Sequence, residues 1–411
     1  MVEAHPQLPG DSAPKTPRGE TFRIGVAGSV CWAMGLFGLY GQVQMLAPIM
    51  ARFGALEGAV GQLYSVENAA FFITILLVSG PLARVSRVRT ALLGALLYAV
   101  GNVASANAGS LEALTLARMV AGVGSGFVVA AGTASAASAR APERVFAIVT
   151  VVHNLLLSAE FKVLPYVLTE TDPASGYLMM AAVGVVMIPF LFWLQPPRGT
   201  QDANESLVTL LLAAPNRRLA VVAILGLFIY ETAQSGVFAF VDQLGIRAGI
   251  DKYARGDALS VTGFVGLIGG VFAFWVGSRL GRIWPILIGM GANVAAAIGL
   301  TLCEGATAYV ALNLLWNVAY NFLTPYLMGA LAALDDRGRW AVAGDALWNG
   351  GTVPGPWIAG LLVERGGYLP LAVLSLVTGI ICMAMYTVVL RRVQRREDSQ
   401  REDGGVFVSP D

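Results

Sequence analysis

Long apolar stretches alternate with short polar turns along almost the whole chain. A helix needs about 20 mostly apolar residues to cross the hydrocarbon core of a bilayer. On that basis the pattern predicts twelve spanning helices. They cover residues 24–51, 58–83, 90–108, 111–135, 144–168, 176–195, 219–245, 257–278, 285–303, 307–334, 340–363 and 368–390. The third and ninth spans contain the fewest polar residues, so we expect them to be outer, supporting helices.

Composition supports a membrane protein over a soluble one. Of the 411 residues, 56% are apolar and only 13% are charged, whereas soluble domains carry about 25% charged residues. The first apolar run is long enough to span and lacks a convincing cleavage site, so we expect it to remain in the mature protein. Cys31, Cys303 and Cys382 are scattered through apolar runs, which favours packing over a disulfide framework or a metal site.

Basic residues are sorted by membrane side, and this predicts the orientation. If the N-terminus is cytoplasmic, twenty Lys and Arg residues lie inside and five outside, while Arg118 and Lys162 fall within spans. Such a bias follows the positive-inside rule. We therefore expect a multi-pass protein of a bacterial inner membrane with both termini in the cytoplasm.

The longest polar interruption divides the spans into six plus six, and a stretch inside it, residues 206–214, has the character of a short interfacial helix. The predicted fold class is therefore an all-α polytopic membrane protein with two pseudo-symmetric six-helix bundles. The charged C-terminal tail is expected to be disordered. The predicted segments are an N-terminal tail at 1–23, a first bundle at 24–195, a cytoplasmic linker at 196–218, a second bundle at 219–390 and a C-terminal tail at 391–411.

A basic turn follows the second span of each half, at residues 80–89 and 277–282. Twelve spans in two sixes with basic turns at matching places resemble the major facilitator superfamily of secondary transporters, over about residues 24–390. The resemblance implies alternating access, with a solute site at the interface of the two bundles near the midplane of the membrane.

The family's turn reads G-x-x-x-D-R-x-G-R-R. Gly80 and Arg89 match this pattern, but Arg84 stands where the acid belongs. The gating contacts that depend on that acid are therefore expected to be altered. The second copy of the turn keeps Arg279, Gly281 and Arg282.

The fourth and eleventh spans carry further similarity to the family. LARMVAGVGSG in the fourth span resembles R-x-x-x-G-x-G-x-G, and glycines at this spacing let helix backbones approach closely. The G-P-x-x-G-G signature of drug–proton antiporters is absent from the fifth span, but an equivalent with Gly355 and Pro356 lies in the eleventh. The fourth-span motif consists of Arg118, Gly122, Gly124 and Gly126.

Ionisable residues inside the first bundle suggest a shared chamber. Glu67, Arg118 and Glu160 lie nine, seven and eight residues from the predicted outer ends of their spans, which places all three at a depth of about 10–14 Å. A lone charge near the middle of a bilayer costs at least about 2.5–3.5 kcal/mol. We therefore predict that these residues, with Lys162 nearby, converge on one cavity between the bundles.

The fifth span adds a histidine to this set. His153 lies seven residues before Glu160, so both side chains share a helical face. Lys162 is rotated by some 200° from Glu160, so Lys162 either contacts a neighbouring helix or extends outward. Because burial favours the protonated form of a carboxyl group, Glu67, Glu160 and Glu231 are the candidates to bind and release a proton.

Aromatic and amide side chains in both halves predict a pocket for a small organic molecule, since such pockets combine apolar area with a few orienting hydrogen bonds. Glu231 is the strongest single candidate because no base on its own helix neutralises it. The predicted substrate-binding residues are Tyr40, Gln44, Tyr230, Gln234, Asn317, Tyr320, Asn321, Trp348 and Asn349.

Structural explanations exist for the same residues. Arg118 can serve the packing of its helix, and Glu160 and Lys162 can form an ion pair with neighbouring helices. Tyr, Trp and Asn in spans often join helices to one another. The expectation of a site therefore depends on whether these side chains meet in one cavity.

The favoured hypothesis is a proton-coupled secondary transporter that moves a small organic solute, with Arg118 or Lys162 binding an organic or aromatic anion. Proton-driven export of amphipathic compounds or drugs is the alternative with the same architecture. A polytopic membrane enzyme is the alternative from another class, but no zinc-protease, nucleophile-elbow or P-loop motif is present. We expect no catalytic residues, no cofactor, no metal and no nucleic-acid partner, and a functional monomer in the lipid bilayer.

Overall fold

The computed structural model describes residues 18–197, 214–277, 279, 281–335 and 339–404. This part of the chain folds into α-helices, with one 3₁₀ turn at Pro81–Ala83 and no strand. The helices are α1 Arg18–Phe53, α2 Glu57–Ser79, α3 Arg87–Ala106, α4 Leu111–Ala137, α5 Pro142–Val167, α6 Ala174–Leu191, α7 Arg217–Ala239, α8 Val241–Arg247, α9 Lys252–Val276, α10 Ile283–Leu302, α11 Ala306–Ala332, α12 Arg339–Gly351, α13 Gly355–Gly366 and α14 Leu369–Gly404.

Ten of the described helices are long and apolar enough to cross a membrane, namely α1–α7, α9, α10 and α14. The predicted tenth span corresponds to α11, which has 27 residues. The predicted eleventh span is divided into α12, with 13 residues, and α13, with 12 residues. One continuous helix over 340–363 was therefore a wrong prediction, because Pro354 and Pro356 lack the N–H group that helix continuation requires.

Two other predicted boundaries also differ. The seventh span ends at Ala239, and a short separate helix, α8, follows after Phe240. The last helix continues to Gly404, so the expectation that the tail is disordered from residue 391 is wrong for residues 391–404. Residues 206–213 of the predicted interfacial helix lie outside the described residues.

The two halves repeat the same packing arrangement. In the first half, α4 packs against α2 and α3, α1 against α5 and α6, and α3 against α6. In the second half, α11 packs against α9 and α10, α7 against α12, α13 and α14, and α10 against α14. Each of these contacts in one half therefore has its counterpart six spans later, which is the predicted pseudo-symmetric pair of bundles.

The halves meet along two helix pairs, α2 with α13 and α5 with α9. Gly61 faces the carbonyl oxygen of Pro356, and Gly360 faces that of Glu57, so α2 and α13 touch backbone to backbone. At the second pair, Lys162 Nζ lies 2.5 Å from the carboxylate of Asp257. These contacts fix the two bundles side by side and leave the space between them to be lined by both.

The glycines of the fourth span allow close helix approach, as predicted. A Cβ atom at Gly122 would lie 2.5 Å from the carbonyl oxygen of Glu67 on α2, and one at Gly126 would lie 2.8 Å from that of Phe71. Gly124 faces α3, where its neighbours are the backbone atoms of Tyr98 and Gly94. The motif thus serves the packing of α4 against α2 and α3.

Replacement of Gly122 by Leu is expected to destabilise the bundle by at least about 1–3 kcal/mol, because the added side chain has no space next to α2. Gly291→Leu is the matched control, since no atom lies within 4 Å of a Cβ at Gly291. The measurement is the melting temperature of the detergent-purified protein. Equal melting temperatures for the two variants would contradict the packing role of Gly122.

Candidate functional site

A cavity of about 390 Å³ lies between the two halves. Its walls come from α1, α2 and α5 of the first half and from α7, α9, α11, α12 and α13 of the second, with one wall residue, Thr352, in the turn before α13. Among the described residues, α3 and α10 contribute nothing to the walls, in agreement with a supporting role for the third and ninth spans. Both bundles therefore contribute to a single central chamber.

Aromatic rings form one wall of this cavity. Tyr40 on α1 meets Phe238 on α7 edge to face, with ring centroids 5.6 Å apart. Phe238 is 6.3 Å from Trp316 on α11, and Trp32 lies 5.9 Å from the ring of His153. Such rings offer a large rigid apolar surface with preferred edge and face geometries. A ligand with an apolar or aromatic body fits this wall.

Glu231 of α7 provides an acid in the cavity. Its Oε2 atom accepts hydrogen bonds from Trp348 Nε1 at 2.6 Å and from the hydroxyl group of Tyr320 at 3.0 Å. Its Oε1 atom makes no hydrogen bond with the described residues, and none of their ion pairs includes Glu231. The carboxyl group is thus held in position by neutral donors and keeps one oxygen available.

Eight of the residues predicted for substrate binding or the charge network line the cavity together. Trp348 does not line it but contacts the Glu231 carboxyl from the adjacent helix. The eight are Tyr40, His153, Glu231, Gln234, Asn317, Tyr320, Asn321 and Asn349.

Two predicted substrate-binding residues do not reach this cavity. Tyr230 turns away from it, and its hydroxyl group donates to Asn293 Oδ1 at 2.6 Å. Gln44 donates from Nε2 to the carbonyl oxygen of Phe161 at 3.1 Å. It lines a second cavity, of about 470 Å³, together with the ion pair of Asp242 and Arg255. Both side chains join helices, which is the structural alternative for polar residues in spans.

Glu67 and Arg118 form a buried ion pair and do not line the cavity. Arg118 Nε lies 2.9 Å from Glu67 Oε2, Nη2 contacts Oε1, and Nη1 lies 2.9 Å from Asn102 Oδ1. Their relative exposures are 0% and 1%. A Cβ atom at Gly38 of α1 would lie 2.7 Å from Arg118 Nη2, so α1 covers the pair. Tyr40, two residues further along and on another face of α1, lines the cavity instead.

Glu160 and Lys162 are also separate from the cavity. Glu160 is buried against Gly41 of α1, where a Cβ atom would lie 2.5 Å from Oε1, and neither carboxyl oxygen has a hydrogen-bond partner among the described residues. Lys162 extends outward to Asp257 and is 57% exposed. The predicted convergence of these charges on one chamber is therefore wrong, because α1 stands between the acids of the first half and the cavity.

Sequence reasoning missed several wall residues. A sequence signal for them was present in α1. Its cavity residues recur at helical spacing on one face, and its glycines, which pack against α4, α5 and the ion pair, recur on another face. Amides on other helices were simply not singled out. The missed residues include Trp32, Gln42, Asn68, Asn154, Phe238, Asn313, Trp316 and Thr352.

The described residues of the two basic turns lie at the ends of α2, α3, α9 and α10, away from the cavity walls. Gly281 adopts a positive φ of 65°, which glycine tolerates. Arg87, which was not among the predicted site residues, is buried and its Nη1 lies 2.5 Å from the hydroxyl oxygen of Ser138 at the end of α4. A gating role for Gly80, Arg89, Arg279, Gly281 and Arg282 stays a prediction.

The eleventh-span motif lies at the contact of the halves. A Cβ atom at Gly355 would lie 2.5 Å from the carbonyl oxygen of Thr232 on α7, and Pro356 lines the cavity. The motif therefore combines close helix packing with a position in the cavity wall.

The family model described as Major Facilitator Superfamily matches residues 28–335, which is more than half of the chain. No curated protein matches the sequence.

Solved structures share the fold at low sequence identity. A bacterial homologue of the human lysosomal transporter Spinster, in an inward-facing and unoccupied conformation, superposes with a TM-score of 0.75 at 12% identity, covering 92% of this chain and 99% of that one. Its inward-facing and occupied form gives 0.73 at 14% identity, covering 92% and 98%. A mutant of the nucleoside transporter NupG gives 0.71 at 15% identity, covering 90% and 98%.

Glu67→Gln and Arg118→Met are each expected to lower stability by about 3–5 kcal/mol, because each leaves a buried charge without its partner. The double variant should lose less than the sum of the single losses, since neither charge remains. Chemical denaturation in detergent gives the three values. Strict additivity would show that the two side chains do not form the ion pair.

Proposed function

We propose a solute-binding role for the central cavity on one established premise: the chain belongs to the Major Facilitator Superfamily, whose members are secondary transporters. The protein moves a small organic solute by alternating access, with the solute bound between Tyr40, Glu231 and Trp316. The observation that carries this proposal is that both bundles line one cavity. Rocking of one bundle against the other would expose such a site first to one side of the membrane and then to the other.

The cavity volume and lining support a small organic solute. A volume of about 390 Å³ lies at the lower end of the range typical of small-molecule sites, about 300–1,000 Å³. Aromatic rings supply apolar contact area, and amide groups supply orienting hydrogen bonds. This combination suits a compact molecule with one apolar and one polar end.

The sequence-based preference for an organic anion is not retained in this proposal. That preference depended on Arg118 and Lys162, and neither side chain lines the cavity. Within the described part of the chain, no other Lys or Arg lines it either. We therefore propose a solute without net negative charge.

The access side follows from the proposed orientation, with both termini in the cytoplasm of a bacterial cell. On that orientation, the contacts of α2 with α13 and of α5 with α9 lie towards the outer face. Asn349, near the cytoplasmic end of the cavity, is exposed, and Asn154 and Asn321 are half-buried. These features support a cavity reached from the cytoplasm.

Glu231 is the proposed proton-binding group. It is the acid in the cavity wall, it has no basic partner among the described residues, and one of its oxygens is available. A carboxyl group placed in this way exchanges a proton with the solvent that fills the cavity. Proton-driven export of amphipathic compounds is the second candidate function, which the aromatic wall favours.

The transport proposal is tested by solute counterflow. Purified protein is screened by thermal shift against anionic, neutral and cationic small organic compounds across pH, and the stabilising compound is radiolabelled. We expect proteoliposomes preloaded with that compound to accumulate the labelled form transiently without any ion gradient. Absence of counterflow, or chemical conversion of the compound, would contradict a transport function.

Glu231→Gln is expected to reduce pH-gradient-driven accumulation of that compound at least tenfold, because the amide cannot carry a proton. Asp345→Asn is the matched control, since it makes the same change on α12 at a position that does not line the cavity. Accumulation is measured in proteoliposomes with an imposed pH gradient. Unchanged accumulation by the Glu231 variant would remove the proton role from this residue.

A further inference from the structure

Amide side chains supply the polar lining of the cavity with several hydrogen-bond acceptors. Five amide side chains there direct their NH₂ group at a backbone carbonyl oxygen, which can only accept, so the orientation of each amide is fixed. Their side-chain oxygens are then left over as acceptors. The five donor bonds are Gln42 to Leu39 at 2.7 Å, Asn68 to Thr352 at 2.9 Å, Asn154 to Thr150 at 2.8 Å, Asn321 to Asn317 at 2.9 Å and Asn349 to Asp345 at 2.8 Å.

Two of these amide oxygens are buried and lack a partner. Gln42 and Asn68 have relative exposures of 6% and 7%, and neither Gln42 Oε1 nor Asn68 Oδ1 has a hydrogen bond among the described residues. Buried polar atoms are nearly always hydrogen-bonded, because an unpaired one is costly. Both oxygens have almost no accessible surface, so they add electronegative character to the wall without contacting a ligand directly.

Hydroxyl groups in the wall follow the same pattern. Ser235 donates to the carbonyl oxygen of Thr232 at 3.2 Å, and Thr262 donates to that of Ala258 at 2.7 Å. Each hydroxyl oxygen then presents lone pairs as further acceptors. The unpaired amide atoms of the wall also include Asn313 Oδ1, an acceptor, and two donors, Gln234 Nε2 and Asn313 Nδ2.

The carboxyl and imidazole groups among the described wall residues are those of Glu231, an acid, and His153, a titratable base. On α7, Glu231 precedes Gln234 by three residues, and Gln234 accepts from Trp316 Nε1 at 2.6 Å. Glu231 is therefore about one helical turn along α7 from the residue that bonds the aromatic wall. A compact molecule can contact both at once.

Resting on the proposed transport function, we propose that the solute is an organic cation, with an ammonium or amidinium group and an apolar, preferably aromatic, body. The cationic group donates to Glu231 Oε1 and to open amide oxygens of the cavity wall. The apolar body packs on Tyr40, Phe238 and Trp316, whose rings also attract cations through their faces. An anionic group in the same place would face the Glu231 carboxyl group, and the described wall residues include no Lys or Arg to bind it.

Three probes with the same aromatic body test the charge preference: 2-phenylethylamine, 2-phenylethanol and 3-phenylpropanoate. Their dissociation constants are measured by calorimetry on the purified full-length protein at a pH where the amine is charged. We expect the amine to bind at least tenfold more tightly than the alcohol, because hydrogen bonds to a charged group are about twice as strong as neutral ones. The carboxylate should bind more weakly than the alcohol.

The Glu231→Gln variant measures the contribution of the carboxyl group to binding separately from that of the rest of the cavity. In this variant the advantage of the amine over the alcohol should fall below about twofold, and a melting temperature close to that of the natural protein shows that the fold is intact. Asp345→Asn should keep the preference of the natural protein. The proposal would be overturned if the carboxylate bound as tightly as the alcohol or more tightly. It would also be overturned if the preference for the amine over the alcohol survived in Glu231→Gln.

The counterflow assay distinguishes a failure of this inference from a failure of the proposed transport function. If none of the three probes binds, the charge of the compound found in the counterflow screen decides: a cation supports the proposal, and a neutral or anionic compound overturns it while transport stands. If the amine binds with the expected preference but no compound shows counterflow, the cation site stands and the transport function fails.

Discussion

The cost of placing a charge in hydrocarbon shapes this structure. An ionisable group inside a bilayer needs either a partner or water, and the chain uses both solutions. Glu67 is neutralised by Arg118 inside the first bundle, where neither residue is exposed to solvent. Glu231 instead lies in the wall of the central cavity with neutral donors around one oxygen. The same residue type therefore has a structural role in one bundle and an available carboxyl in the other.

Helix α1 keeps these two environments apart. One face carries Gly38 and Gly41, which allow the ion pair and Glu160 to pack directly against the helix backbone. Another face carries Trp32 and Tyr40, which line the cavity. Because the glycines add no side chain, α1 acts as a thin partition between buried charges and the solute space. A larger residue on the glycine face would push the helix towards the cavity, so packing in the first bundle also sets the shape of the site.

Much of the fold follows from the sequence, because spans, basic turns and the glycine motif are all local patterns. The polar face of Asn317, Tyr320 and Asn321 was likewise predictable from helical spacing.

The charges of the first half were misplaced for a physical reason. Counting residues gives the depth of a side chain in the membrane but not its direction relative to neighbouring helices. Glu67 and Arg118 share the predicted level, yet they face each other across α2 and α4. The break at Phe240 was missed because an apolar run continues through it, whereas the break before Gly355 had a local signal in Pro354 and Pro356 that the span assignment overlooked.

Water access to engineered cysteines tests most directly whether the solute space is the central cavity and not the charge cluster of the first bundle. In a variant without Cys31, Cys303 and Cys382, single cysteines replace Ser235, Asn317 or Asn102, and inside-out vesicles are treated with a membrane-impermeant thiol reagent. The account predicts that cysteines at 235 and 317, in the cavity wall, react, and that a cysteine at 102, beside Arg118, does not. Reaction at 102 with no reaction at 235 and 317 would contradict it.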